Sequence, residues 1–524
     1  MIIFVTVLIP VLVAVSLILL NWMRPNFRYL WLIAFSGAFI TWISVILWRF
    51  TLPMVLVLPA WEPQQLFSES LSFLVDPLTW SFSFGIATLV LVVIMTATAR
   101  ENYPAPLPWA ATLALGSFGI LAVLANNPIS LLMIWTAIDL IELFSQLQSV
   151  HSAQASERVV VSFAAHVAGT VMLLWASIIS TSVGAPMDFH NAPPQSGLYL
   201  LLASGLRLGV LPLHLPYATE SAIRRGYGSA LRLISATSGI ILLTRIPIES
   251  VLSPITPYLL ILVTIAAFYG SWMWLRAPDE LTARPFWLIG VASLSMAAAL
   301  RGSQTGAAAW GLALLLVGSV MFLASVYQKW VNRALLVGLW GFSALPLSLT
   351  ANGWQHDVSD YWLSWPLLIL AHAILLAGYI RHALRPSNRV RFEDLDLWAR
   401  NTYPGGIGLS LLVILILGIS GFENNIQIST LLFSVAAFPL SGLILWLVPR
   451  VRWMQLPSAH WVQPTSPTIA WLDWFFRALW NLYRALGRMS QVITSILESD
   501  GGILWTLLFI VLLASLVSQR ISGL

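Results

Sequence analysis

Apolar residues fall in long unbroken stretches, each closed by a short polar or basic segment. A helix needs about 20 apolar residues to cross the hydrocarbon of a bilayer. Stretches of that kind fall at 2–20, 29–49, 76–98, 108–125, 128–148, 159–181, 196–213, 228–246, 254–275, 285–300, 307–326, 333–350, 363–383, 405–421, 427–447 and 502–520. The pattern therefore predicts an all-α membrane protein of about sixteen spanning helices. The run Ile2–Leu20 lacks a basic leader and a small-residue cleavage site, so it reads as a spanning helix rather than a cleaved signal. Loop charge tests the count. With the loop after the first helix placed in the cytoplasm, and every second loop after it, 20 of the 26 basic residues lie on that side, as topology requires. Both termini then fall on the outer side of the cell's inner (plasma) membrane. Arg49, Arg245, Arg301 and Arg520 remain at helix edges on the opposite side, and Arg207 and Arg232 lie within helices.

Three segments depart from plain spanning helices. From Thr468 to Leu497, Leu472, Phe475, Phe476, Leu479, Tyr483, Leu486, Ile493 and Leu497 recur at helical spacing, and Asp473, Arg477, Asn481, Arg484, Arg488 and Gln491 take the other face. This predicts an amphipathic lateral helix lying along the membrane or along neighbouring helices. In the seventh span Arg207 is followed five residues later by Pro212. A guanidinium in hydrocarbon costs several kcal/mol, and a mid-helix proline frees a carbonyl that lipid cannot satisfy. Both are tolerable where the segment faces protein or a wet cavity. In the twelfth span Leu345-Pro346-Leu347 repeats Leu211-Pro212-Leu213. Five helices separate the two, so the breaks enter in opposite orientation, as in inverted-repeat transporters with a midplane site. Proline kinks are common in membrane helices, and an ordinary kink is the alternative.

Composition narrows the chemistry. The chain is 58% hydrophobic and 9% charged, against about 25% charged in soluble domains. It has no cysteine, which excludes disulfides, a thiolate nucleophile, iron–sulfur ligation and thiol-based zinc sites. Eight histidines are scattered without a His-x-x-x-His pair, and there is no Gly-rich phosphate loop. No cofactor, no metal site and no catalytic centre are expected in this chain. The net charge of +5 is almost all arginine and reflects topology rather than nucleic-acid binding. The 26 tryptophans read as interfacial and packing residues.

With these motifs in hand, the chain resembles the antiporter-like proton-translocating membrane subunits of respiratory complex I, Mrp antiporters and membrane-bound hydrogenases. The family's broken helix carries Lys-Ser-Ala-x-x-Pro-Leu-His and then Leu-Pro; here the stretch is Arg207-Leu208-Gly209-Val210-Leu211-Pro212-Leu213-His214-Leu215-Pro216. Ser229-Ala230-Leu231 and Ser238-Gly239…Arg245 are similar to the start and end of the family's next helix. Asn126-Asn127-Pro128 followed by Trp135, Asp279 near Arg284, and Leu345-Pro346-Leu347-Ser348 are also similar to family motifs. The motifs cover about residues 70–385, and topology covers the rest. Sixteen helices with an amphipathic stretch before the last look like the family's largest subunit, although its lateral helix is much longer than the residues available here.

The resemblance implies a proton route through titratable residues in the fifth, seventh, eighth and twelfth helices, and all four differ here. The family's glutamate after tryptophan is Thr136, its lysine is Arg207, its histidine or lysine falls at Leu231 or Leu233 beside Arg232, and its last lysine or glutamate falls at about Gly353. A buried lysine can release a proton, whereas arginine cannot. Replacement candidates are Asp139, three residues after Thr136 and expected on the same helix face, Glu142, His166, His214, Arg232 and His372. One reading is a rewired proton or sodium/proton path through these residues. The other is a static cluster in a subunit retained for assembly. A third is the membrane subunit of an inorganic-carbon uptake system. Asp76, before Pro77, reads as a helix N-cap. The expected organisation is helices one and two with an outer loop (1–75), an antiporter-like core (76–385), a cytoplasmic loop with two helices (386–460), the lateral helix (461–500) and an anchor (501–524). The expected partners are other membrane subunits and lipid, with protons or sodium as cargo and no nucleic acid.

Overall fold

A computed structural model describes residues 2–450, except 25–26, 28, 59–69, 101–104, 150–152, 187, 216–224, 252, 356–363, 385–389, 421–427 and 449. The expected lateral helix at 461–500 and the last span at 502–520 lie outside the described residues.

The first fifteen expected spans are all present as helices. The amino-terminal series is α1 (Ile2–Met23), α2 (Leu30–Trp48), α3 (Pro77–Thr96), α4 (Pro106–Leu124), α5 (Pro128–Ser149), α6 (Ala153–Ser182), α7 (Pro194–Leu208) and α8 (Arg225–Leu243). A single turn, α9 (Ile248–Val251), leads into α10 (Thr256–Arg276), α11 (Arg284–Leu300), α12 (Gln304–Leu323), α13 (Lys329–Gly341), α14 (Trp365–Leu384), α15 (Leu397–Ser420) and α16 (Ile428–Leu447). Eleven of the described helices are long and apolar enough to cross a membrane. Strand is confined to two small ladders. β1 (Met54–Val57) pairs antiparallel with β2 (Ser72–Val75) in the loop before α3, and β3 (Val326–Tyr327) pairs parallel with β4 (Val390–Arg391).

Burial orders the bundle. α12 is wholly enclosed, α3 and α8 nearly so, while α1 and α2 turn most of their surface outward. Apolar residues on those outward faces are the ordinary surface of a helix in lipid. α12 packs on α3, α8, α11, α13 and α15, and α7 lies between α6 and α8. The N-cap reading of Asp76 holds: its Oδ1 accepts from the Thr79 amide at 2.7 Å, and the Thr79 hydroxyl accepts from the Asp76 amide.

Both expected breaks are present, but proline does not make the first one. α7 stops at Leu208, and Gly209 takes a left-handed conformation with φ +71°. The Val210 amide then bonds back to the Gly205 carbonyl at 2.9 Å, the six-to-one closure of a Schellman end. Pro212 lies beyond that end, in the non-helical stretch. Glycine ends the helix because only it adopts this conformation without a Cβ penalty. The second break follows α13. Ala344 and Leu347 flank Leu345-Pro346 with φ of +56° and +63°. Thr350 Oγ1 accepts from the Ala344 amide and donates to the Gly341 carbonyl, so one hydroxyl ties the turn to the end of the helix.

Candidate functional site

Four side chains on α5 form one stripe. Trp135, Asp139, Glu142 and Gln146 recur at steps of four, three and four, so all face inward. Thr136 does not share that face. It is exposed and donates its hydroxyl to the Leu132 carbonyl one turn back, so the edge of the buried stripe passes between Thr136 and Asp139. The expectation that both lie on one face is corrected: the family's acidic position points outward here, and the buried acid sits one turn later.

Arg207 occupies the last turn of α7 and is fully buried. The carbonyl end of a helix favours a cation, and the break at Gly209 puts that end inside the bundle. Arg207 Nη1 and Nη2 donate to Asp139 Oδ2 and Oδ1 at 2.9 and 2.6 Å, a bidentate pair. Its Nε donates to Ser238 Oγ on α8 at 3.2 Å, and its carbon Cζ lies 4.6 Å from the centre of the Trp135 ring. Trp135 Nε1 in turn donates to the Ser238 carbonyl. The guanidinium is thereby held by one carboxylate, one hydroxyl and one aromatic face.

His166 on α6 lies between two acids. Its Nδ1 is 3.2 Å from Asp139 Oδ1 and 3.8 Å from Glu142 Oε2. Glu142 Oε1 accepts from Gln146 Nε2 at 2.6 Å, while Oε2 has no hydrogen-bond partner among the described residues. Asp139, Glu142 and His166 each offer a ligand atom, and these atoms lie within 4.8 Å of one another. Two carboxylates and an imidazole are a set that can hold a proton or a cation. Arg207 neutralises Asp139, which leaves Glu142 and His166 as the pair able to change charge. Arg232 is buried on α8. Gln146 and Ser238 are members that sequence reasoning did not single out. Gln146 was legible as the next position of the α5 stripe, and Ser238 stands in the Ser238-Gly239…Arg245 motif but was not read there as an arginine partner.

Two further candidates are His214 and His372. His214 follows the first break, buried, with Nδ1 2.8 Å from the Pro212 carbonyl. His372 belongs to the second half. Its Nε2 donates to the Phe342 carbonyl at 2.9 Å, and the rings of Trp310, Phe342 and Trp354 surround it with centroids 5.0–5.7 Å away. Gly353 packs against Trp310: a Cβ there would stand 2.6 Å from the indole, whose Nε1 donates to the Gly353 carbonyl. The indole fills the space that a lysine or glutamate at 353 would need. His372 therefore sits among aromatic rings, one of which, Trp354, also lies under the buried Arg301 with Cζ 5.8 Å from its centre. At the loop between α10 and α11, Asp279 caps the amides of Leu281 and Thr282, while Arg284 donates to the Ser229 hydroxyl.

No family model matches the sequence, and no curated protein matches it. Solved structures do match by fold. A chain in the structure of the Mrp complex from Dietzia sp. DQ12-45-1b is similar with a TM-score of 0.70 and 15% identity over 99% of this chain. This chain spans 63% of the length of that one. A chain of the membrane-bound sulfane sulfur reductase, an archaeal respiratory membrane complex, is similar with a TM-score of 0.63 and 14% identity, over 98% of this chain and 99% of that one. A chain of respiratory complex I from Thermus thermophilus is similar with a TM-score of 0.61 and 17% identity, over 84% of this chain and 100% of that one. The chain has the all-α membrane fold found in these complexes.

Proposed function

We propose that this chain is a membrane subunit of a multi-subunit respiratory or antiporter-type complex in the plasma membrane. In this reading the cluster on α5–α8 moves a proton across the core at 76–385 by a path that uses Glu142 and His166 in place of lysine. The observation that carries the reading is His166, held between a carboxylate already paired with arginine and a second carboxylate that is not. Asp139 Oδ1 lies against Nδ1 and orients the ring, so a proton entering at Glu142 can pass to the imidazole. Arg207 does not carry the proton. It sits at a helix end next to a non-helical stretch, and displacing it from Asp139 changes the field at His166 by a full charge. The three protein complexes that share the fold support placing the chain among other membrane subunits.

The test is ion flux in vesicles reconstituted with the intact complex. Glu142→Gln removes the titrating carboxylate but keeps the shape and the Gln146 contact. It is expected to abolish proton flux while the complex still assembles, and so is Arg207→Ala. Unchanged flux in Glu142→Gln overturns the proton path. A second reading has one observation in its favour: the bidentate Asp139–Arg207 pair satisfies both partners and is also what a static strut needs. Under that reading the double variant Asp139→Asn with Arg207→Gln changes thermal stability or assembly and leaves flux intact.

A further inference from the structure

We propose that a crevice beside α1 binds one acyl chain of a membrane lipid and recognises the hydrocarbon rather than the headgroup. The crevice has a volume of about 220 Å³. One wall is a stripe of α1 that includes Ile3, Val7 and Val11. Leu121 of α4 and Ile134 of α5 form a second wall. The hairpin of β1 and β2 supplies a third. Its cross-strand partners Leu56 and Phe73 turn into the crevice, while Val55 and Val57 take the other face of the strand and are exposed.

Surroundings, lining and shape select the occupant. α1, α4 and α5 are each long and apolar enough to cross a membrane. The exposed side chains of Phe4, Leu8 and Met133 stand at the mouth, so the crevice opens toward hydrocarbon. Its lining carries no charge. The one hydroxyl, Ser130 Oγ, is already taken up by the Ser72 amide at 2.9 Å. A buried water needs two to four polar partners, and an apolar void that lacks them stays dry and takes up apolar guests. Left empty, the void would also cost its lining atoms their contact partners. The shape is elongated: from residue 3 to residue 11 the wall rises about 12 Å along α1. Spread over that length, the volume leaves a cross-section of about 20 Å², the girth of one extended polymethylene chain. A helix from a neighbouring subunit is about 10–12 Å across with its side chains and cannot enter. A lipid tail runs in the same direction as α1 and fits.

The test uses phosphatidylcholine with a photoreactive diazirine on one acyl chain. The intact complex and the isolated full chain are equilibrated with it in nanodiscs, washed into maltoside detergent to remove loosely held lipid, irradiated and mapped by mass spectrometry. The outward face of α6 at residues 171–178 is the internal control for ordinary lipid contact. Label on residues 3–11 and 130–134 is expected at least about tenfold above that control, the ratio that about 1.4 kcal/mol of added affinity gives. Val7→Phe and Val11→Phe fill the crevice from the α1 wall. Val11 is half-buried, so its variant leaves the packing of α1 intact. Both variants are expected to bring the label on residues 130–134 down to the α6 level without changing α6 itself. Replacing the choline headgroup with an anionic one is expected to leave the parent's pattern unchanged. Label no higher than on α6, or label that persists in Val11→Phe, overturns the site. So does a pattern that follows the headgroup. Label present on the isolated chain and lost in the intact complex assigns the crevice to a neighbouring subunit. Label displaced by an isoprenoid quinone but not by unlabelled phosphatidylcholine assigns it to a quinone tail. Either result also overturns the proposal.

Discussion

At the scale of single residues, the Asp139–Arg207 pair decides what the buried cluster can tolerate. Both side chains are sealed, and their attraction offsets the cost of removing two charges from water only while both are present. Asp139→Asn should therefore destabilise the chain by about 3–5 kcal/mol, read as a fall in melting temperature followed by tryptophan fluorescence. Adding Arg207→Gln should restore part of that loss, because the uncompensated cation is then gone. A larger loss in the double variant would contradict this account. The sequence made Asp139, Glu142 and Arg207 visible, since any charge in an apolar stretch stands out. Their partnership was less visible: α5 supplies Asp139 and Glu142, α6 His166 and α7 Arg207, in contacts separated by up to 68 positions. Thr136 shows how narrow the margin is, because a step of three residues crossed the boundary between the protein face and the lipid face.

At the scale of elements, the two breaks are built differently. Proline is the residue that catches the eye in a helical stretch, yet Gly209 ends α7 and Pro212 follows in chain already released from the helix. Gly209→Ala keeps a small residue but forces a side chain into the left-handed region, at a cost of about 1–2 kcal/mol. The expected result is a lower melting temperature together with slower flux, because the end of α7 carries Arg207. Pro212→Ala should be milder in stability. At the second break, Gly353→Ala brings a methyl group within 2.6 Å of the Trp310 ring, and overpacking of this kind costs about 1–3 kcal/mol. Shrinking the ring with Trp310→Phe should recover much of that loss in thermal unfolding. The position where a family motif would place a charged side chain was legible in the sequence. The indole that displaces it comes from a helix more than forty residues away and was not.

At the scale of the whole molecule, fifteen of the sixteen expected spans are present as helices, and the last lies outside the described residues. Apolar length and alternating loop charge carry that much because the bilayer leaves few alternatives. The absence of cysteine makes the proposed orientation directly testable. Single cysteines at the exposed positions Ser182 and Asp396, on opposite ends of the bundle, should react with a membrane-impermeant maleimide from opposite sides. Ser182→Cys is expected to label in intact cells and Asp396→Cys only after lysis, and the reverse pattern would invert the topology. The packing of rings around His372 has one more consequence, for stoichiometry. Among the described residues the carboxylate–imidazole cluster of Asp139, Glu142 and His166 lies in the first half, and His372 in the second is packed among aromatic rings, one of which also carries the buried Arg301. If the cluster cycles, each turnover carries one elementary charge through this chain. Against a potential of 100 mV that is work of about 2.3 kcal/mol.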